Sequence, residues 1–297
     1  MRGWIAVAVA AFLVSAPVRA DLKSALKAYD AGRFDAAAAA LAPLAEAGNA
    51  EAQYRLGLLY DGGKGVAENP ETAFDWFRKA AAGGHAEAAR VVGIYHEEGK
   101  VVRKSYERAV EWYAKAAEQG NAKAQRNLGG LYQDGLGVKP DLQRAFDLYT
   151  QAAQGGSVKA KRNLAYMYYF GAGVRRDYKK AADLFRQTAQ DGLGKADYDL
   201  GRLYYRGQGV AKDASKAAGH FRKAAEKGHG GAQFFMGRMR MLGEGVEKDM
   251  ARAYYWLTLA VAQDTEKAAR LRRKVGGSLS DQQIADAEKA AQAFRPK

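Results

Sequence analysis

Nucleophilic, acid–base and metal chemistry each need particular side chains within reach of one another, and this chain is poor in them. It has 297 residues, four histidines and no cysteine. Disulfides, thiolate nucleophiles, Cys-ligated zinc and iron–sulfur clusters are therefore excluded. Beyond residue 20 the serines are Ser24, Ser105, Ser157, Ser215, Ser278 and Ser280. None stands in a G-x-S-x-G setting, and Ser24-Ala25-Leu26-Lys27 is a lone S-x-x-K with no S-D-N or K-T-G elsewhere in the sequence. His96-Glu97-Glu98 offers a ring and two carboxylates, but no second His follows at i+4 and no H-E-x-x-H occurs. Gly62-Gly63-Lys64-Gly65 imitates a phosphate loop without its Lys-Ser/Thr ending. His85, His96, His220 and His229 lack partnered ligands in sequence and read as structural residues. The expectation is no catalytic residue, no metal and no cofactor.

What remains is the chemistry of anion recognition. Lys123, Arg126 and Asn127 recur as Lys159, Arg162 and Asn163. Ammonium, guanidinium and amide groups all donate to a carboxylate, and the charged ones bond it strongly. Aromatic and cationic residues follow at helical spacing: Tyr166, Phe170, Tyr198, Arg202, Tyr205 and Phe234. Large apolar groups on an exposed face need a reason to be there. These twelve residues are the candidate binding surface, provided that the chain stacks them on one wall.

The elements that would do so are repeats. Blocks of 36 residues begin at Ala50, Ala86, Ala122, Val158, Gly194 and Gly230, without insertion. Ala holds position 3 (Ala52 to Ala232) and position 24 (Ala73 to Ala253) of each block, and Gly holds position 14 (Gly63 to Gly243). Within a block Leu56, Leu59 and Tyr60, then Ala73, Trp76, Phe77 and Ala80, follow the helical i, i+3, i+4 rule. A glycine loop separates the two runs, and a closing glycine such as Gly84 or Gly156 ends the second. Each block is thus a helical hairpin whose apolar faces are buried by stacking.

The pattern A-x-x-LG-x-x-Y-x-x-G-x-GV followed by A-x-x-WY-x-KAA-x-x-G resembles the Sel1-like repeat family, relatives of tetratricopeptide repeats. The resemblance spans 50–265 and implies an all-α, right-handed α-solenoid of stacked helical hairpins. Two blocks depart from it. The second has His96 in place of Tyr and Val101 in place of the second loop glycine, which points to a loop of different shape. The sixth has Arg240 in place of Tyr and Asp264 in place of the closing glycine. In the related tetratricopeptide fold, positions 2, 5, 6, 9, 12 and 13 of the first helix line a concave groove, which is where the twelve candidates fall. Tetratricopeptide domains that grip a peptide's C-terminal carboxylate use Lys, Arg and Asn at similar places. The resemblance therefore implies a non-enzymatic scaffold that binds a protein or peptide with acidic or C-terminal carboxylate groups. An anionic envelope polysaccharide or peptidoglycan is the alternative ligand. Some cysteine-rich members are described as hydrolysing β-lactams, a remote alternative for a chain with no Cys and no complete serine-hydrolase motif set. Replacing Arg126 and Arg162 by Ala should weaken the partner while leaving melting nearly intact.

The ends read as caps and an address. Residues 21–49 form a degenerate first hairpin, with Ala37, Ala45 and Gly48 in phase with the blocks. Residues 266–297 form capping helices, the last opened by Ser280 and Gln283 in a capping box. Residues 1–20, MRGWIAVAVAAFLVSAPVRA, have a basic start, a short apolar run and a small-x-small ending. They read as a signal peptide cleaved after Ala20, which implies a periplasmic or secreted protein without a stable membrane anchor. The formal charge is +14, and blocks 158–193 and 194–229 carry +5 and +4 of it. Nucleic acid is the reflex partner for such a patch, but export argues against it and favours acidic peptides or envelope polymers.

Overall fold

The computed structural model describes residues 21–263 and 266–296, and the expected signal peptide at 1–20 lies outside them. Among the described residues there are sixteen α-helices and no strand. They fall into two compact units, one ending at Lys104 and the other beginning at Ser105. The first contains α1 (Leu22–Asp30), α2 (Phe34–Glu46), α3 (Ala50–Asp61), α4 (Pro70–Ala82) and α5 (Ala86–Glu98). The second begins with α6 (Tyr106–Glu118), α7 (Ala122–Asp134), α8 (Leu142–Gln154), α9 (Val158–Phe170) and α10 (Tyr178–Gln190). It continues through α11 (Gly194–Arg206), α12 (Ala214–Glu226), α13 (Gly230–Leu242), α14 (Met250–Val261), α15 (Glu266–Gly276) and α16 (Asp281–Gln292). Within each unit successive helices pack on one another up to α15, and α16 packs back on α14.

Local sequence explains where the helices begin. The second helix of each block starts after Asn69, Ser105, Asp141, Asp177, Asp213 or Asp249, whose side chain accepts from the backbone N–H three residues on. Such a cap is worth about 1 kcal/mol. First helices are capped the same way by Asn49, Asn121 and Ser157, and also by the rings of His85 and His229. α11 is the exception: Leu193 takes the same backbone conformation but offers no side-chain acceptor.

Packing follows from the alternation of small and large residues. All twelve alanines at positions 3 and 24 are fully buried. At position 28 stand Phe77, Tyr113, Tyr149, Phe185, Phe221 and Leu257, each at most 2% exposed. They lie against the small residue at position 8: a Cβ added at Gly201 would come within 2.6 Å of the Phe221 ring. The second loop glycine is equally constrained, because a Cβ at Gly137 would collide with the backbone of Tyr106 and Glu107.

The loop of the second block corrects one expectation. Val101 adopts φ 68°, the same left-handed value as Gly65 and Gly137. The hairpin therefore keeps its turn and forces a β-branched residue into a conformation that costs roughly 1–2 kcal/mol. Loop closure by the flanking helices outweighs the local preference.

At the ends, α1 and α2 form a hairpin around Ala25, Ala37 and Leu41, all fully buried. At the other end Ser280 and Gln283 make a reciprocal capping box that opens α16. No described helix is long and apolar enough to cross a membrane.

Candidate functional site

The candidate residues of the second unit sit on its first helices, α7, α9, α11 and α13. Their spacing of one block brings equivalent positions side by side. A cleft of about 940 Å³ opens where these helices begin. Arg126, Lys159, Arg162, Lys195 and Lys227 line it, together with Asn163 and His229, and no lining residue is acidic. Four of the twelve expected residues, Arg126, Lys159, Arg162 and Asn163, thus meet in one place. Lys123 and Asn127 do not line the cleft, but Asn127 accepts a 2.6 Å hydrogen bond from the Arg126 guanidinium and so aims it.

Arg162 has a second task that the sequence did not disclose. Its Nε donates to Asp199 Oδ2 at 2.9 Å, while the Tyr166 hydroxyl donates to Oδ1 at 2.7 Å. The Asp199 side chain is only 2% exposed. Burial pushes its carboxyl above the usual range against the pull of Tyr166 and Arg162, and burial likewise pushes the Tyr166 hydroxyl up. Removing Arg162 would leave a buried carboxylate without its cation, a heavily destabilising change. The expectation that an Arg162→Ala variant melts like the parent is therefore corrected.

The aromatic candidates form a separate surface. Tyr166 stacks on Phe170 at 6.0 Å, and Phe170 is 65% exposed. The Arg202 guanidinium lies over both Tyr169 and Tyr198. Tyr205 donates to Glu244 at 2.7 Å, and Phe234 packs edge-on against Phe235. Tyr198 lies flat against His229, with ring centroids 4.3 Å apart. None of Tyr166, Phe170, Tyr198, Arg202, Tyr205 and Phe234 lines the basic cleft.

Sequence reasoning passed over His229 and Lys227. His229 caps α13 by accepting the Ala232 N–H at Nδ1, so its ring proton resides on Nε2. Burial, with the nearby charges of Arg162 and Lys195, holds its pKa below the usual 6.5. The signal was available, since His85 and His229 both end a block whose fifth residue is Tyr. His220 instead hydrogen-bonds Asp197 at 3.0 Å and stacks on Tyr204, in the place that Trp76, Trp112 and Trp256 hold in other blocks. Among the described residues no group of three or more His, Asp or Glu is arranged to hold a metal ion.

The cleft gathers cationic and hydrogen-bond-donating side chains. The family profile described as the Sel1 repeat matches residues 50–85, 86–121, 122–157, 158–193, 194–229 and 231–265. Two solved structures are similar over most of the chain. One is a Sel1 repeat protein from Oxalobacter formigenes, 32% identical, with a TM-score of 0.74 over 80% of this chain and 95% of that one. The other is c5321, a protective antigen of uropathogenic Escherichia coli with the same repeat fold. It is 30% identical with a TM-score of 0.76, and the alignment covers 86% of this chain but only 56% of that longer one. A search of curated proteins finds no match. Sel1 repeat solenoids are generally non-catalytic scaffolds for protein interaction. With six matched repeats, each a pair of helices between α3 and α14, this chain belongs to the Sel1 repeat family.

Proposed function

We propose that this chain is an exported, non-enzymatic adaptor that holds an acidic segment of a partner protein in the basic cleft of its second unit. The observation that carries this reading is the convergence of Arg126, Lys159, Arg162, Lys195 and Lys227 around one cleft with no acidic lining residue. A surface of scattered charges contributes little to binding. Five cations facing one cavity raise the local potential and favour a carboxylate-rich ligand. Export rests on residues 1–20 and on the periplasmic or secreted destination they imply. N-terminal sequencing of the protein recovered from an envelope fraction should begin at Asp21.

Capture of partners from a native periplasmic extract tests the function. Arg126→Glu with Lys159→Glu reverses two lining charges without stranding a buried carboxylate. The parent should retain a discrete set of proteins and the double variant should lose it, by about 2 kcal/mol of affinity or more. Equal retention by both would end the reading. Retention of glycan alone would transfer the cleft to an anionic polysaccharide, which carries the same carboxylates.

A further inference from the structure

The first unit contains, inside one chain, an occupied version of the site that the second unit presents open. In the block that begins at Ala50, Tyr54 at position 5 stacks on His85 at position 36, with ring centroids 4.4 Å apart and planes at 26°. His85 Nδ1 accepts the Ala88 N–H, so Nε2 carries the proton and donates to Glu51 Oε2 at 2.9 Å. The other carboxylate oxygen of Glu51 accepts from Arg55 Nε at 2.6 Å. Burial raises the Glu51 pKa, but the bonds from Arg55 and His85 outweigh it and the net shift is downward.

Four blocks later the rings are reproduced and the charges are not. Tyr198 stacks on His229 at 4.3 Å and 22°, and Nδ1 again accepts from the backbone three residues on. Position 2, however, is Lys195 in place of Glu51, and position 6 is Asp199 in place of Arg55. Asp199 points its carboxylate at Arg162 and Tyr166 instead. The position equivalent to Glu51 is thus a cation, Lys195, whose charge together with that of Arg162 acts on the His229 ring. Lys195, Arg162 and His229 all line the cleft.

We infer that a carboxylate of the bound partner takes, at the Tyr198–His229 pair, the place that the Glu51 carboxylate takes at Tyr54–His85. It would accept from His229 Nε2 and from the Lys195 ammonium, with the remaining cations of the cleft receiving neighbouring acidic groups. The ground for naming a carboxylate is that the equivalent pair, Tyr54–His85, already holds one. The inference deepens the adaptor reading and rests on it.

The test uses the chain from Asp21 onward and a fluorescein-labelled hexaglutamate peptide, with hexaglutamine as the neutral control. Lys195→Glu rebuilds the internal carboxylate of the first block and should fill the subsite from within. His229→Ser keeps the helix cap, as Ser157 does at the equivalent place, but removes the donor. Fluorescence anisotropy should show hexaglutamate binding to the parent and hexaglutamine failing to bind. Lys195→Glu and His229→Ser should each weaken hexaglutamate by about tenfold or more, at unchanged helical circular dichroism. In nuclear magnetic resonance titrations, Lys195→Glu should also raise the pKa of the His229 ring. If both variants bind hexaglutamate as the parent does while Arg126→Glu with Lys159→Glu does not, the subsite is wrong and the adaptor reading stands. If hexaglutamate fails to bind the parent, the carboxylate subsite falls. Partner capture, which assumes no ligand, then decides the adaptor reading separately.

Discussion

Arg162 shows how a residue chosen for recognition can be held by structure. Its guanidinium pairs with a carboxylate that has almost no access to water. Arg162→Ala should lower stability by about 3 kcal/mol, because Asp199 would be left buried without its ion-pair partner, with the Tyr166 hydroxyl still bonded to it. Urea denaturation followed by circular dichroism would read this as a shifted midpoint at constant slope. Asp199→Asn in the same chain should recover part of the loss, since a neutral amide tolerates burial better than a lone charge. An Arg162→Ala chain that melts like the parent would mean that the pair contributes nothing. Val101 gives the opposite sign. It is 42% exposed and holds φ 68°, so Val101→Gly sacrifices little packing and relieves the strain. A gain of about 1 kcal/mol is expected in the same measurement, after the larger unfolded-state entropy of glycine is set against the relief.

At the scale of the element, the first helix of a block is capped by the last residue of the block before it, as His85, Asn121, Ser157 and His229 do. α11 begins at the mouth of the cleft with Leu193 as its N-cap, at φ −75° and ψ 95°. Asn121 caps α7 at φ −67° and ψ 103° with its side chain bonded to Ala124 N–H. The backbone at 193 is thus already shaped for an acceptor. Leu193→Asn should stabilise the chain by about 1 kcal/mol, read as a higher urea midpoint. A lower midpoint would show that the half-buried leucine side chain contributes more through packing than an added cap returns.

For the molecule as a whole, charge is concentrated rather than spread. The formal +14 is carried largely by blocks 158–193 and 194–229 together with the tail, and the cleft draws on the first two. Binding of an acidic ligand there should weaken steadily as salt is raised from low to physiological ionic strength and beyond, since the Debye length falls to about 8 Å at 0.15 M. Arg126→Glu with Lys159→Glu should flatten that dependence as well as weaken binding. Anisotropy titrations of hexaglutamate across a salt series would measure both. A salt-independent affinity would place the interaction outside the basic cleft.

The repeat period, the helix pairs, the recurrent alanines, the closing glycines and the Ser280–Gln283 capping box were all legible in the amino-acid sequence. Each is written by residues within a few positions of one another, and the pattern recurs at a fixed spacing that stacking preserves. Local pattern failed at Val101, where closure of the hairpin imposes a backbone that no valine prefers. The site was half legible. Arg126, Lys159, Arg162 and Asn163 could be placed together because a constant period aligns equivalent positions of adjacent blocks. The partners of those cations could not. Whether Arg162 turns to a ligand or to Asp199, and whether a histidine at the end of a block meets Glu51 or Lys195, depends on which side chains cross between helices about one block apart. That choice is made by packing, through burial and the pairing of charges, and only the tertiary structure decides it.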